Sequence, residues 1–186
     1  AGQHGMGTGS QFDAGDGVKW KRVKLLGLIL LIGTAVLLLL RLGINIATFI
    51  GADDLAASDA GGEIGAAGVG SSLASLVLYG LNFLVGFIMF VLGIFAAVMG
   101  RGRARVGGIV VAAAFPVSVV LYWILVFVMA VILVSTGGAD DQTGAITSVG
   151  YRITAGTNSL HALVMVAIIG LGSFFVHSTA SKKLSA

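Results

Sequence analysis

The sequence predicts an all-α integral membrane protein, a bundle of four transmembrane helices with both termini in the cytoplasm. Three observations predict it. The apolar residues, 57 % of the chain, fall in four blocks, and charged residues make up only 10 %, far below the roughly 25 % of a soluble domain. Two of those blocks, Leu76–Met99 and Val106–Val134, are joined by little more than the cationic turn Arg101-Gly102-Arg103-Ala104-Arg105. Each block can cross a bilayer, which takes about 20 apolar residues, so the pair forms a hairpin with its tip in water. Three arginines assign that tip to the cytoplasm. Finally, the sign of charge alternates along the chain: nine of the eleven Lys and Arg flank one side of the expected spans, and most of the acids lie in the loops on the other.

The chain opens on a polar, Gly-rich cytoplasmic tail, residues 1–18, which alone in water buries too little to offset its chain entropy. Lys19, Trp20, Lys21, Arg22 and Lys24 follow. This cluster reads as an interfacial anchor, the indole at headgroup level and the cations on anionic lipid. A nucleic-acid role is not expected, because the apolar run begins at once and the basic pI follows from membrane orientation.

The membrane domain is expected over 19–178, with spans at about 25–50, 72–99, 106–134 and 157–177, and a short cytoplasmic tail at 179–186. The first span is nearly pure Leu, Ile and Val from Leu25 to Leu40, then meets Arg41. At 1.5 Å per residue, Arg41 lies about 24 Å from Leu25, in the outer leaflet. Gly51–Gly70 is an outer loop carrying Asp53, Asp54, Asp59 and Glu63. Pro116 lies inside the third span and is expected to kink it, with Ser118 a candidate to satisfy the freed carbonyl. Ser135–Thr143 is a second acidic loop. Gly144–Asn158 reads either as an outer amphipathic helix or as an extension of the fourth span.

Two constellations stand out. Gly86, Gly93 and Gly100 recur every seven residues on the second span, with Ala97 four beyond Gly93; Ala104, Gly108 and Ala112 recur every four on the third. Such spacing lets backbones approach closely, and the reading is tight packing within the hairpin, with self-association the alternative. The second constellation is a polar stripe on three spans, all in the outer half: Arg41, Asn45 and Thr48; Ser72, Ser75, Tyr79 and Asn82; Thr154, Asn158 and His161. Polar groups at such depth usually face the bundle interior. The first reading is an interhelical hydrogen-bond network. The functional one is a small outer cavity for an anion, a lipid headgroup or a quinone-like ring, with Arg41, and Arg152 as a second source, supplying charge. Arg41 either turns inward to Tyr79, Asn82, Asn158 and His161 or snorkels to outer phosphates. If inward, its replacement by Leu is expected to loosen the outer half.

No catalytic motif or cofactor site is expected. No carboxylate lies inside an apolar block, the chain has no Cys, and His161 and His177 lie at opposite depths of one helix, so they cannot ligate one haem plane. Asp53-Asp54 and Asp140-Asp141 resemble cation-binding pairs but read as solvated loops. The expected function is therefore a non-catalytic structural or accessory subunit of a larger membrane assembly, either a multisubunit complex or the membrane layer of a virion. The expected partners are the lipid bilayer and other membrane proteins, a second copy included. The alternative is a small channel, holin-like pore or transporter component.

Overall fold

The structure, a computed structural model, describes residues 14–185. The polar tail expected over residues 1–18 lies, up to residue 13, outside the described residues. Five helices follow: α1 (Ala14–Ile50), α2 (Ala52–Asp59), α3 (Ala66–Met99), α4 (Arg103–Ser135) and α5 (Ser148–Ser185). All but the eight-residue α2 are long and apolar enough to cross a membrane, so the chain is a multi-pass membrane protein. α1 packs on α3 and α5, and α4 packs on the same two. The long helices therefore close a ring in the order α1, α3, α4, α5, each antiparallel to its neighbours. One end of the bundle holds the arginine turn. The other holds α2 and the α4–α5 loop, which together form a cap.

The α1–α5 seam organises the bundle. Trp20, Val23, Gly27, Leu30, Thr34, Leu37 and Ile44 are buried, and they follow one another at alternating steps of three and four residues until Arg41 takes the step between Leu37 and Ile44. That 3.5-residue average is the repeat of a left-handed supercoil. α5 answers with Ala162, Met165, Ile169, Ser173, Val176 and Ala180, all buried. A methyl at Gly27 would fall 2.6 Å from the His177 backbone nitrogen, so only glycine permits this approach. Across the seam Thr34 Oγ1 and Ser173 Oγ lie 3.4 Å apart. Each also donates within its own helix, to Leu30 O at 2.7 Å and Ile169 O at 2.8 Å, which keeps both hydroxyls satisfied in an apolar surround.

The same seam orients the cationic cluster of α1. Trp20 is its first member and is turned into the bundle, 8 % exposed and clustered with Val23, Val176 and Ala180. Lys21, Arg22 and Lys24 point outward and Lys19 is half-buried. The cluster lies within a helix that already runs from Ala14, not ahead of one.

The hairpin of α3 and α4 closes on small residues. A methyl at Gly93 would fall 2.8 Å from the Ala112 nitrogen, and one at Gly108 would strike the Ala97 nitrogen. Gly86 faces the Phe115 ring, 3.3 Å from where its methyl would lie. Gly107, which carried no signal of its own, meets Gly172 of α5 in the same way. At the tip Gly102 adopts φ +57°, which L side chains avoid. α4 remains helical through Pro116. Ser118 makes no hydrogen bond among the described residues and lines a cavity instead.

The cap replaces what the sequence presents as open loop. Asp54 of α2 accepts a hydrogen bond from Gly68 N at 2.9 Å, satisfying one of the unpaired donors in the first turn of α3. Asp53 pairs with Arg152 of α5 at 2.8 Å, and the Arg152 guanidinium lies 5.8 Å from the Phe49 ring centre. Asp59 accepts from Ile146 N at 3.0 Å. Three acids thus tie α2 to three other parts of the chain. In the α4–α5 loop Asp140 accepts from Gln142 N, Thr143 N and Thr143 Oγ1 at 2.8–3.0 Å. These bonds favour the carboxylate and hold its pKa below the ordinary value. Residues 148–158 are the first turns of α5 itself.

Candidate functional site

In the cap half the four long helices diverge around a cavity of about 540 Å³. α1 contributes Arg41, Ile44 and Asn45; α3 contributes Tyr79, Asn82 and Phe83; α4 contributes Phe115, Ser118, Val119 and Tyr122; α5 contributes Asn158, His161 and Ala162. Of the sequence-derived stripe, Arg41, Asn45, Tyr79, Asn82, Asn158 and His161 therefore converge on one space. Thr48 does not join them; its hydroxyl donates to Ile44 O at 3.1 Å. Ser72, Ser75 and Thr154 do not line the cavity, and Arg152 belongs to the cap.

Arg41 turns inward because it occupies a seam position between Leu37 and Ile44. Its Nε donates to Asn82 Oδ1 at 3.1 Å, which brings α1 and α3 together by a charge-assisted bond. That uses one of the five guanidinium donors. No carboxylate lines the cavity, so the positive charge has no counter-ion among the described residues. His161 presents a second imbalance: its Nε2 is buried and has no hydrogen-bond partner among the described residues. A charge within the membrane costs up to about 2.5–3.5 kcal/mol on the lenient insertion scale, the value at the bilayer centre, and a buried unsatisfied polar atom about 1–3 kcal/mol. The site is therefore held against two local costs.

The walls are aromatic. Phe83 and Phe115 meet edge to face at 6.2 Å between centroids, and Phe90 extends the cluster from Phe115 at 5.7 Å. Sequence reasoning missed Phe83, Phe115, Ser118 and Tyr122 as lining residues. A signal was available for the depth of the site and the facing of α1: Gly27, Thr34, Arg41 and Thr48 recur every seven residues, a small-and-polar line through an otherwise uniform Leu, Ile and Val helix.

At the opposite end Arg101, Arg103, Lys182 and Lys183 gather around a groove that also touches Asp16 and Trp20. His177 Nδ1 lies 3.4 Å from Lys24 O, far along α5 from His161. Among the described residues no cluster of three or more His, Cys, Asp or Glu is placed to hold a metal.

Fold and site together define a class: a four-helix multi-pass membrane protein with a charged, aromatic-walled cavity in one half of the bundle. Comparison with protein-family models, curated proteins and solved structures returned no match.

Proposed function

We propose that this chain is a non-catalytic structural or accessory subunit of a larger membrane assembly, either a multisubunit membrane complex or the membrane layer of a virion, with both termini in the cytoplasm. The observation that carries the reading is what the acids do. Asp53, Asp54, Asp59 and Asp140 each accept hydrogen bonds that fix the cap, so they serve architecture, and no carboxylate among the described residues is left to line the cavity. The orientation is supported by the gathering of Arg101, Arg103, Lys182 and Lys183 at one end, opposite the acidic cap.

The cavity is the one feature that favours a pore or transporter component. Against a water path through a single chain stands the arginine-turn half, filled by Leu30, Leu37, Met89, Met165, Val111 and Val176, all buried. Purification from the native membrane in mild detergent tests the main reading: a stoichiometric partner or a defined homo-oligomer is expected. Elution as a bare monomer, together with ion flux in liposomes, would replace it with the pore reading. Single cysteines at Ser58 and Ser181 test orientation, since the chain has no native Cys. An impermeant thiol reagent on intact cells should label Ser58→Cys and spare Ser181→Cys; the reverse pattern inverts the topology.

A further inference from the structure

We propose that the Arg41 cavity binds the oxyanionic headgroup of a monoanionic amphiphile, taken up from the bilayer between α3 and α4. The argument starts from charge. Arg41 keeps four guanidinium N–H donors beyond the one that serves Asn82, and no lining side chain carries a negative charge. One oxyanion placed there neutralises the guanidinium and can accept two parallel bonds from it. It also comes within the same space as the orphaned His161 Nε2, which gains an acceptor when that nitrogen carries the ring proton.

The shape of the site specifies the rest of the ligand. The α1 and α5 lining is floor: Ile44 is 4 % exposed, Asn45 7 % and Ala162 3 %. The α3 and α4 lining is rim: Phe83 is 64 % exposed and Tyr122 42 %. The mouth therefore opens sideways between α3 and α4, where the surroundings of a membrane protein are acyl chains. A free aqueous anion would have to cross that apolar rim, whereas an amphiphile enters head first and leaves its tail against Phe83 and Phe115. The volume, about 540 Å³, falls within the roughly 300–1,000 Å³ of small-molecule sites. A mixed lining of aromatic walls with a few convergent polar groups is the usual composition of such sites.

The test uses the full chain, delipidated in an uncharged detergent at mildly alkaline pH, with oleate as the probe and native mass spectrometry as the readout. One oleate per chain is expected, bound at least about thirtyfold more tightly than oleyl alcohol, the same tail without the charge, as the loss of a desolvated charge pair implies. Arg41→Gln should abolish that preference, and Arg41→Lys should keep part of it, because the ammonium retains the charge but not the paired bonds. Equal binding of oleate and oleyl alcohol overturns the proposal, because charge then plays no part. Binding of inorganic phosphate as tight as that of oleate overturns it also, because the ligand is then a free anion and not an amphiphile. Both comparisons use the unmodified chain and stand even if Arg41→Gln fails to fold.

Discussion

Gly93, Gly107 and Gly108 lie where helices meet backbone to backbone, whereas Gly80 and Gly156 have no atom of another element within 4 Å of where a methyl would stand. Gly80 is about 20 Å from Gly93 along the same helix. The two groups belong to the two halves of one bundle. In the arginine-turn half, small residues on α3, α4 and α5 oppose one another and the helices close. Around the cavity Gly80 and Gly156 are unopposed among the described residues, aromatic rings line α3 and α4, and the helices part around Arg41; nearer the cap, glycines such as Gly68 and Gly150 pack again, against Asp54 and Gly138. A small residue strengthens a membrane bundle only where another helix answers it, because within lipid the drive for association is packing rather than exclusion from water. The closed half supplies that packing, and so the open half can hold a charge and an unsatisfied imidazole nitrogen without losing the fold.

The largest expected effect tests this division directly. Gly108→Leu drives a side chain into the α3 backbone at Ala97 and should cost about 3 kcal/mol or more, read as loss of the folded form in detergent unfolding. Gly156→Leu, the same change in the open half, should stay within about 0.5 kcal/mol. Equal losses at the two positions would erase the distinction between the halves.

Arg41→Leu is next. Read from sequence, this change should loosen the outer half by leaving several partners unpaired. The structure gives that expectation a narrower basis, a single bonded partner. Among the described residues only Asn82 Oδ1 loses a bond, a loss of about 1–3 kcal/mol at most, while a membrane-charge cost of up to about 2.5 kcal/mol, the value at the bilayer centre, is relieved. The ligand-free variant should unfold at the same denaturant concentration as the parent or a higher one. A clear destabilisation would show that Arg41 serves the architecture of the bundle.

A smaller effect is expected at the seam. Ser173→Ala removes a hydroxyl that donates to Ile169 O and lies 3.4 Å from Thr34 Oγ1, and it should cost no more than about 0.6 kcal/mol, the average for interhelical hydrogen bonds in a membrane protein, because Thr34 keeps its bond to Leu30 O. A much larger loss would mean that the hydroxyl pair, and not apolar packing, carries the closed half.

The smallest effect concerns the cap. The Asp140 pKa is lowered by bonds from Thr143 and Gln142, so the carboxylate stabilises the folded loop at any pH above the ordinary carboxylate value. That contribution fades as pH falls through the depressed value. Amide exchange at Gln142 and Thr143, corrected for intrinsic rate, should accelerate only in that acid window, and Asp140→Asn should remove the pH dependence. Acid-independent exchange in the parent would show that these bonds do not hold the loop.

Four long apolar helices and the two acidic connections are determined by sequence alone, because length, apolar composition and charge are local properties that a bilayer reads directly; where the helices begin is not, since α3 starts at Ala66 and α5 at Ser148. The stripe containing Arg41, Asn45, Tyr79, Asn82, Asn158 and His161 is equally legible, since a polar residue stands out in an apolar block. The cap is not. α2 is a short run of Ala, Asp, Ser and Leu without periodicity, and its acids become tethers only when Gly68, Ile146 and Arg152 are brought to them. The aromatic walls are not legible either. In water, burial sorts apolar from polar residues and leaves a period in the sequence; in lipid, Phe83 on the rim and Phe95 on the outer surface face equally apolar surroundings. Which apolar side chain looks inward is decided by the pairing of helices, and that pairing is set by small residues such as Gly27, Gly93, Gly107 and Gly108 meeting across distances in sequence that no local pattern spans.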